Sequence, residues 1–377
     1  MQRGVKMRKR LHGRASLAVA TVVAAGSLAS FNANAGATIP IGADKSLTVG
    51  FGMRASYTSA EDAAPNGSSR SNDFNLDSAR IFLGGSLSKN IGGMLNTEWD
   101  GDQIRILDAA GQFSISPELN IWAGRLLSPS DRANMAGPYY SLGGGYWAGV
   151  ASRYGYNGGI FRGRDDGVVA WGNAMDGKLG YSFGAFEGHT FGIGSLTQNQ
   201  AKAAGRKVSD DLMYAGRVQY DFWDAEPGYY GTGNYLGGKD ILAIGLAART
   251  QKNGVLTASR SGDYSSYNVD FLLEKKLPSG AFAVEAAFYD YDTDGVVLAE
   301  QGKAYSAGAS FLVGKFQPFL RYQKFSPDTN IDSKQTDVGV NYIIDGYNAQ
   351  VSAVYSKSRT SISKSSDKLV VALQLQY

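Results

Sequence analysis

From Leu47 to Tyr377 the chain repeats one unit: about ten residues alternating apolar and polar, then a turn, the pattern of a strand with one greasy and one wet face. The closing segment shows it best. Leu369, Val371, Leu373, Leu375 and Tyr377 share one face, and Ala372, Gln374 and Gln376 the other. Tyr347, Ala349, Val351, Ala353 and Tyr355 repeat this against Asn348, Gln350 and Ser352, as do Phe282, Val284, Ala286 and Phe288 against Glu285, with Tyr289 on the inner side. Leu212, Tyr214, Val218 and Tyr220 oppose Arg217, Gln219 and Asp221. Aromatic residues recur at the segment ends, where a barrel in lipid carries its girdles. The chain has 22 Tyr and 17 Phe, yet its mean hydropathy is only −0.22. That combination is expected when apolar side chains take every second position of many strands.

The pattern predicts 16 strands, near 47–57, 75–88, 91–100, 104–115, 119–126, 163–173, 178–187, 209–221, 239–249, 265–275, 281–291, 303–313, 316–325, 335–343, 347–356 and 368–377. Tight turns at 88–90, 116–118, 175–177, 277–280, 314–315 and 345–346 alternate with longer polar loops at 58–74, 127–162, 188–208, 250–264, 292–302, 326–334 and 357–367. Short turns on one rim and long loops on the other are the asymmetry of a transmembrane antiparallel up-and-down β-barrel, the short side being periplasmic. Two connections break the rule, because 101–103 is short where a loop belongs and 222–238 is long where a turn belongs. Counts of 14 or 18 strands therefore stay open. A secreted β-sandwich would also alternate, but it would expose its polar face and seldom run 342 residues as one domain.

Residues 1–35 differ in kind. Arg3, Lys6, Arg8, Lys9, Arg10 and Arg14 precede the apolar run Ala15 to Ala25, and Ala33-Asn34-Ala35 offers a small-x-small cleavage pattern, so 1–35 is expected to be a signal peptide and 36–377 the barrel domain. The apolar run is shorter than the roughly 20 residues a membrane-spanning helix needs, and no later stretch approaches that length. Without the leader, 37 Lys and Arg become 31 against 34 Asp and Glu, a net of −3, which gives no reason to expect a nucleic-acid partner. The location expected is the bacterial outer membrane, with lipid and lipopolysaccharide against the outer wall.

Three stretches are distinctive: Leu76-Asp77-Ser78-Ala79-Arg80-Ile81-Phe82-Leu83-Gly84-Gly85, Gly124-Arg125-Leu126-Leu127-Ser128-Pro129, and Trp223-Asp224-Ala225-Glu226-Pro227-Gly228-Tyr229-Tyr230 followed by Gly238-Lys239-Asp240-Ile241-Leu242-Ala243-Ile244-Gly245. They resemble the phosphate-selective porin O and P family. The resemblance implies a 16-stranded barrel that assembles as a homotrimer, one pore per subunit, with a loop folded inward as the constriction. The dense arginine ladder and lysine cluster of the phosphate-specific members have no match here. On the faces assigned to the lumen stand Arg80, Arg217, Arg249 and Arg321, but also Glu98, Asp100, Asp270, Glu274 and Glu285. Such mixed signs suit a general pore, and the arginines are expected to pair with carboxylates on neighbouring strands.

The barrel's aqueous channel must be narrowed if passage is to be selective. Loop 127–162 is the longest connection, and the expected constriction residues are Asp131, Arg132, Tyr139, Tyr140, Arg153 and Arg162, flanked by Arg125 and Arg164. Guanidinium groups there would bias the pore toward anions such as phosphate. Catalysis has little to stand on. His189 is the one histidine after the leader, and its sequence neighbour Glu187 points to the opposite side of a strand, so no orienting carboxylate is in view. Asp290-Tyr291-Asp292-Thr293-Asp294-Gly295 is similar to a calcium loop but has Gln301 where the twelfth-position acid belongs. With no cysteine, neither a metal nor a cofactor is expected. The function expected is passive diffusion of small hydrophilic solutes, with an adhesin or receptor acting through the outer loops as the alternative.

Overall fold

The computed structural model describes residues 36–99, 101–143, 145, 163–189, 191–192, 211–257, 260–296 and 301–377. Among these residues eighteen strands occur in chain order: β1 Ala37–Pro40, β2 Ser46–Ala60, β3 Ser71–Ser86, β4 Ile91–Trp99, β5 Ile104–Ser116, β6 Leu119–Leu127, β7 Arg164–Ala174, β8 Leu179–Phe186, β9 Phe191–Gly192, β10 Met213–Asp221, β11 Ile241–Leu256, β12 Ser261–Leu277, β13 Gly280–Asp292, β14 Gly302–Leu312, β15 Phe316–Pro327, β16 Ser333–Asp345, β17 Ala349–Thr360 and β18 Ser366–Gln376. A five-residue helix, α1 Arg132–Ala136, lies between β6 and β7. Sixteen of the strands form a closed antiparallel barrel. Each pairs with its sequence neighbour, β8 pairs with β10, and β18 pairs with β2 to complete the ring. The remaining two are short additions, β1 along the start of β2 and β9 parallel to Val255 and Leu256 at the end of β11.

The barrel is inside out relative to a water-soluble domain. On β18, Leu369, Val371, Leu373 and Leu375 are 41, 42, 36 and 37% exposed, whereas Ala372, Gln374 and Gln376 between them are 6, 3 and 6% exposed. Closure explains how such a wall can face an apolar medium, since every barrel strand pairs with a neighbour on each side and the backbone groups along those ladders are satisfied. Outward aromatic rings run in rows from strand to strand. Tyr267, Phe288 and Tyr305 follow one another at 5.9 and 5.2 Å between ring centroids, and Phe316 and Tyr342 meet at 5.1 Å near the other rim.

Each expected strand overlaps an observed one, and both breaks in the loop rule are real: β4 and β5 are joined tightly, while 222–240 forms a long connection on the short-turn rim. Two expectations need correction. Residues 250–264 are mostly hairpin, since β11 continues to Leu256 and β12 begins at Ser261, with a register shift between Gln251 and Val255 and Asn253 at φ 51°. Alternation fails there because the register shift at Asn253 breaks the period of two, and beyond it Gly254, Val255 and Leu256 are all buried instead of alternating, so the pattern ends before the pairing does. Tyr347 does not share the outward face of β17 either. It lies in the turn before Ala349, and its hydroxyl donates to the carbonyl of Asn234 inside the barrel. The leader 1–35, Asp100, Arg153 and Arg162 lie outside the described residues.

A candidate constriction built from both rims

After β6 the chain turns into the lumen. Asp131 caps α1 by accepting the amide of Asn134 at 3.0 Å, and Gly137 ends the helix at φ 65°, a conformation natural to glycine. The wall holds the start of this loop at three points. Arg249 Nε donates to the carbonyl of Pro129 at 3.2 Å, Arg217 Nη1 to that of Ser130 at 3.0 Å, and the amide of Arg132 to Asp270 Oδ2 at 3.1 Å. The loop then crosses the lumen. Tyr139 meets the far wall, with its hydroxyl 2.9 Å from Ser78 Oγ, its ring 5.2 Å from the Arg80 guanidinium carbon, and its carbonyl accepting from Gln374 at 3.0 Å. Beyond it, Arg321 Nη1 donates to the carbonyls of Leu142 and Gly145 at 3.0 and 3.1 Å.

The long connection 222–240 rises from the opposite rim to meet this loop. Glu226 receives Arg132 through two bonds, of 2.9 and 2.7 Å, and Arg132 also donates to the carbonyl of Thr232 at 3.0 Å. The amide of Gly233 donates to the carbonyl of Tyr140 at 2.9 Å. The Tyr229 ring packs against Trp122 and Trp171, with centroids 4.9 and 5.9 Å away, and its hydroxyl donates to the carbonyl of Leu127 at 2.5 Å. On the far side, Glu274 of β12 accepts the amides of Tyr235 and Gly237 at 2.5 and 2.6 Å. Burial alone would raise the carboxyl of Glu226, but the adjoining Arg132 guanidinium outweighs it and holds it below the ordinary glutamate range.

Electrostatically the lumen is a set of pairs. Arg80 bonds Glu98 on the next strand, Arg164 bonds Asp108 at 3.2 Å, and Arg321 bonds Asp337 directly across β16 at 2.9 Å. Arg217 on β10 reaches Asp270 on β12 at 2.5 and 2.8 Å by passing over the intervening strand β11, where Gly245 has no side chain to obstruct it. Glu285 is also buried inside. Among the described residues every buried base is an arginine, the cation suited to bidentate, partly dehydrated pairing. A cleft of about 90 Å³ remains between α1 and the wall of β3 to β7, lined by Arg80, Asn96, Asp108, Arg164, Tyr139 and Tyr230.

Asp131, Arg132, Tyr139, Tyr140 and Arg164 are thus brought together within the lumen. Arg125 is not, which corrects its expected place beside the pore. It lies three residues from the inward Trp122 and so on the outer face, bonded to Asp166 at 2.7 Å with the two side chains 27 and 45% exposed. Glu226, Thr232 and Gly233 escaped sequence reasoning, and the anomalous length of their connection was the signal that marked them. His189 does have a carboxylate partner, Asp165 at 3.0 Å, which sequence proximity had not suggested.

No family model and no curated protein matches the sequence. Solved structures do match. An anion-selective porin from Comamonas acidovorans superposes with a TM-score of 0.62 at 14% identity, covering 89% of this chain and all of the other. OprB of Pseudomonas putida gives 0.60 at 10% identity over 89% of this chain and 94% of that one. The trimer form of OmpT, an outer membrane protein of Vibrio cholerae, gives 0.56 at 13% identity over 89% and 100%. Likeness at such low identity is one of architecture, and it establishes the fold: a closed 16-strand barrel of the kind seen in outer-membrane porins.

Proposed function

We propose that the chain is an outer-membrane porin through which small hydrophilic solutes diffuse passively. The observation that carries this reading is the inverted barrel, apolar outward and lined with polar side chains, whose lumen is narrowed by an inward-folded loop. In the same reading 1–35 is a cleaved export signal, the outer membrane is the location, lipid and lipopolysaccharide contact the wall, and three copies assemble, as the trimeric Vibrio cholerae protein of similar fold does. Arg80, Arg132, Arg164, Arg217 and Arg321 each face a carboxylate, so their fields largely cancel, and a weakly selective pore fits them better than a phosphate trap. A modest anion preference is the finer form of the proposal, suggested by the name of the Comamonas acidovorans porin of similar fold. Single-channel recording in planar bilayers tests both. Stepwise ohmic currents are expected, and a purified barrel that inserts but passes no current refutes the pore. Reversal potentials in a salt gradient decide the preference.

A further inference from the structure

We infer that the 222–240 connection is a second constriction element, and that Glu226 is the residue through which it sets the width of the pore. This rests on the pore reading above and adds to it where the width is fixed: the inward loop is held from the opposite rim as well as from its own.

The argument starts from what each end of α1 touches. Its first residue, Arg132, is 1% exposed and spends its guanidinium on Glu226, on Gln219 Oε1 at 3.0 Å and on the carbonyl of Thr232. Past the other end, the carbonyl of Tyr140 takes the amide of Gly233 and the hydroxyl of Thr232, at 2.9 and 3.2 Å. The loop is therefore gripped on both sides of its helix by one segment, and that segment is itself anchored at three places. Tyr229 packs against a pair of touching tryptophans, Tyr235 and Gly237 hang on Glu274, and the side chain and carbonyl of Asn234 are held by Gln317 at 3.2 Å and by Tyr347. Glu226 joins these pieces, because it also accepts from the Tyr235 hydroxyl at 2.6 Å and from Gln219 at 3.0 Å, and its own amide donates to Asp221 at 2.7 Å.

A carboxylate that only stabilised the barrel would, when neutralised, reduce the number of working channels and leave each one unchanged. A carboxylate that positions the constriction would change the single channel itself. Glu226→Gln keeps the side chain's shape and removes its charge, and Thr232→Cys places a thiol at a position that is 3% exposed in a chain that has no cysteine. The full-length barrel carrying Glu226→Gln is expected to show unitary conductance raised by about twofold and to admit larger oligosaccharides in liposome swelling, as a less obstructed lumen would. In the Thr232→Cys background, the same change is expected to speed labelling by a hydrophilic maleimide at least tenfold. Unchanged unitary conductance and size cut-off, with labelling as slow as in the parent, overturn the inference. Should the unaltered barrel pass no current, the pore reading falls, and the labelling rates alone decide whether Glu226 holds the two segments together.

Discussion

Gly245→Ala is a single methyl whose effect can be worked from the geometry. Gly245 sits opposite Asp270 in the β11–β12 ladder, and a Cβ built on it would lie 2.2 Å from Arg217 Nη2 and 2.5 Å from Asp270 Oδ1. Contacts below 3.0 Å are essentially never tolerated by real Cβ atoms, so the ion pair, not the strand, has to give way. The two side chains are 9 and 1% exposed, so water compensates little. Forcing them apart costs between the roughly 1–3 kcal/mol of overpacking and the roughly 3–5 kcal/mol of a broken buried pair, and about 3 kcal/mol is expected. Arg217 would also lose its grip on Ser130, so the inward loop should loosen with it. Unfolding in detergent micelles by urea, read from the electrophoretic shift of folded barrels, gives the number. Gly111→Ala is the reference, because that Cβ meets only the Phe113 ring at 3.8 Å and a carbonyl at 4.0 Å, and relief of glycine's entropy cost makes it neutral or slightly favourable. If the two variants unfold within about 1 kcal/mol of each other, the assigned role of Gly245 as a gap for the Arg217–Asp270 bridge is wrong.

Leu373→Arg puts a charge on the outer face at a mid-strand position of β18. It should cost about 2–4 kcal/mol in the same unfolding assay if that face meets lipid, and almost nothing if it meets water. Tyr229→Phe keeps the ring against the tryptophan pair and deletes the 2.5 Å bond to Leu127, so a loss of about 1 kcal/mol with unaltered unitary conductance is expected. The acid response of the pore follows from Glu226. Its folded pKa is depressed, so its contribution is complete above the unfolded value of about 4.3 and disappears as pH falls through the lower folded value. The difference in conductance between the parent and Glu226→Gln, recorded from neutral pH downward, should therefore hold steady until the pH passes below the ordinary glutamate range, then vanish. A difference already lost near pH 6 would contradict the depressed carboxyl.

The architecture was legible because the period of two survives wherever one strand face is greasy and the other wet. The run from Leu369 to Tyr377 states the outward and inward faces of β18 residue by residue, and the structure keeps them. Where that period breaks, as at Gln251 to Leu256, where a register shift is followed by three buried residues in a row, the hairpin continues without the pattern, and sequence reading stops short. The lumen was legible only in part. Arg321 and Asp337 lie directly across a ladder, so expecting lumen arginines to pair with neighbouring strands sufficed. Arg132 and Glu226 are separated by 94 positions and joined only once two loops from opposite rims have met, which no local spacing records. Arg125 could have been placed by counting from Trp122, since an odd step in a strand changes face. Gly245 was readable as well, because a glycine inside a regular strand often marks the close approach of something else.

The seam between β2 and β18 also dictates the order in which the molecule can be made. Phe51 and Tyr377 exchange their backbone bonds at 2.8 and 2.7 Å, so the sixteenth strand of the barrel is knitted to the first. Until that last stretch arrives, every partly assembled intermediate carries two raw margins of unsatisfied amides and carbonyls, ready to stitch onto any neighbour. A product terminated before Ser366 should accordingly be an adhesive open ribbon prone to clumping, not a narrower tube.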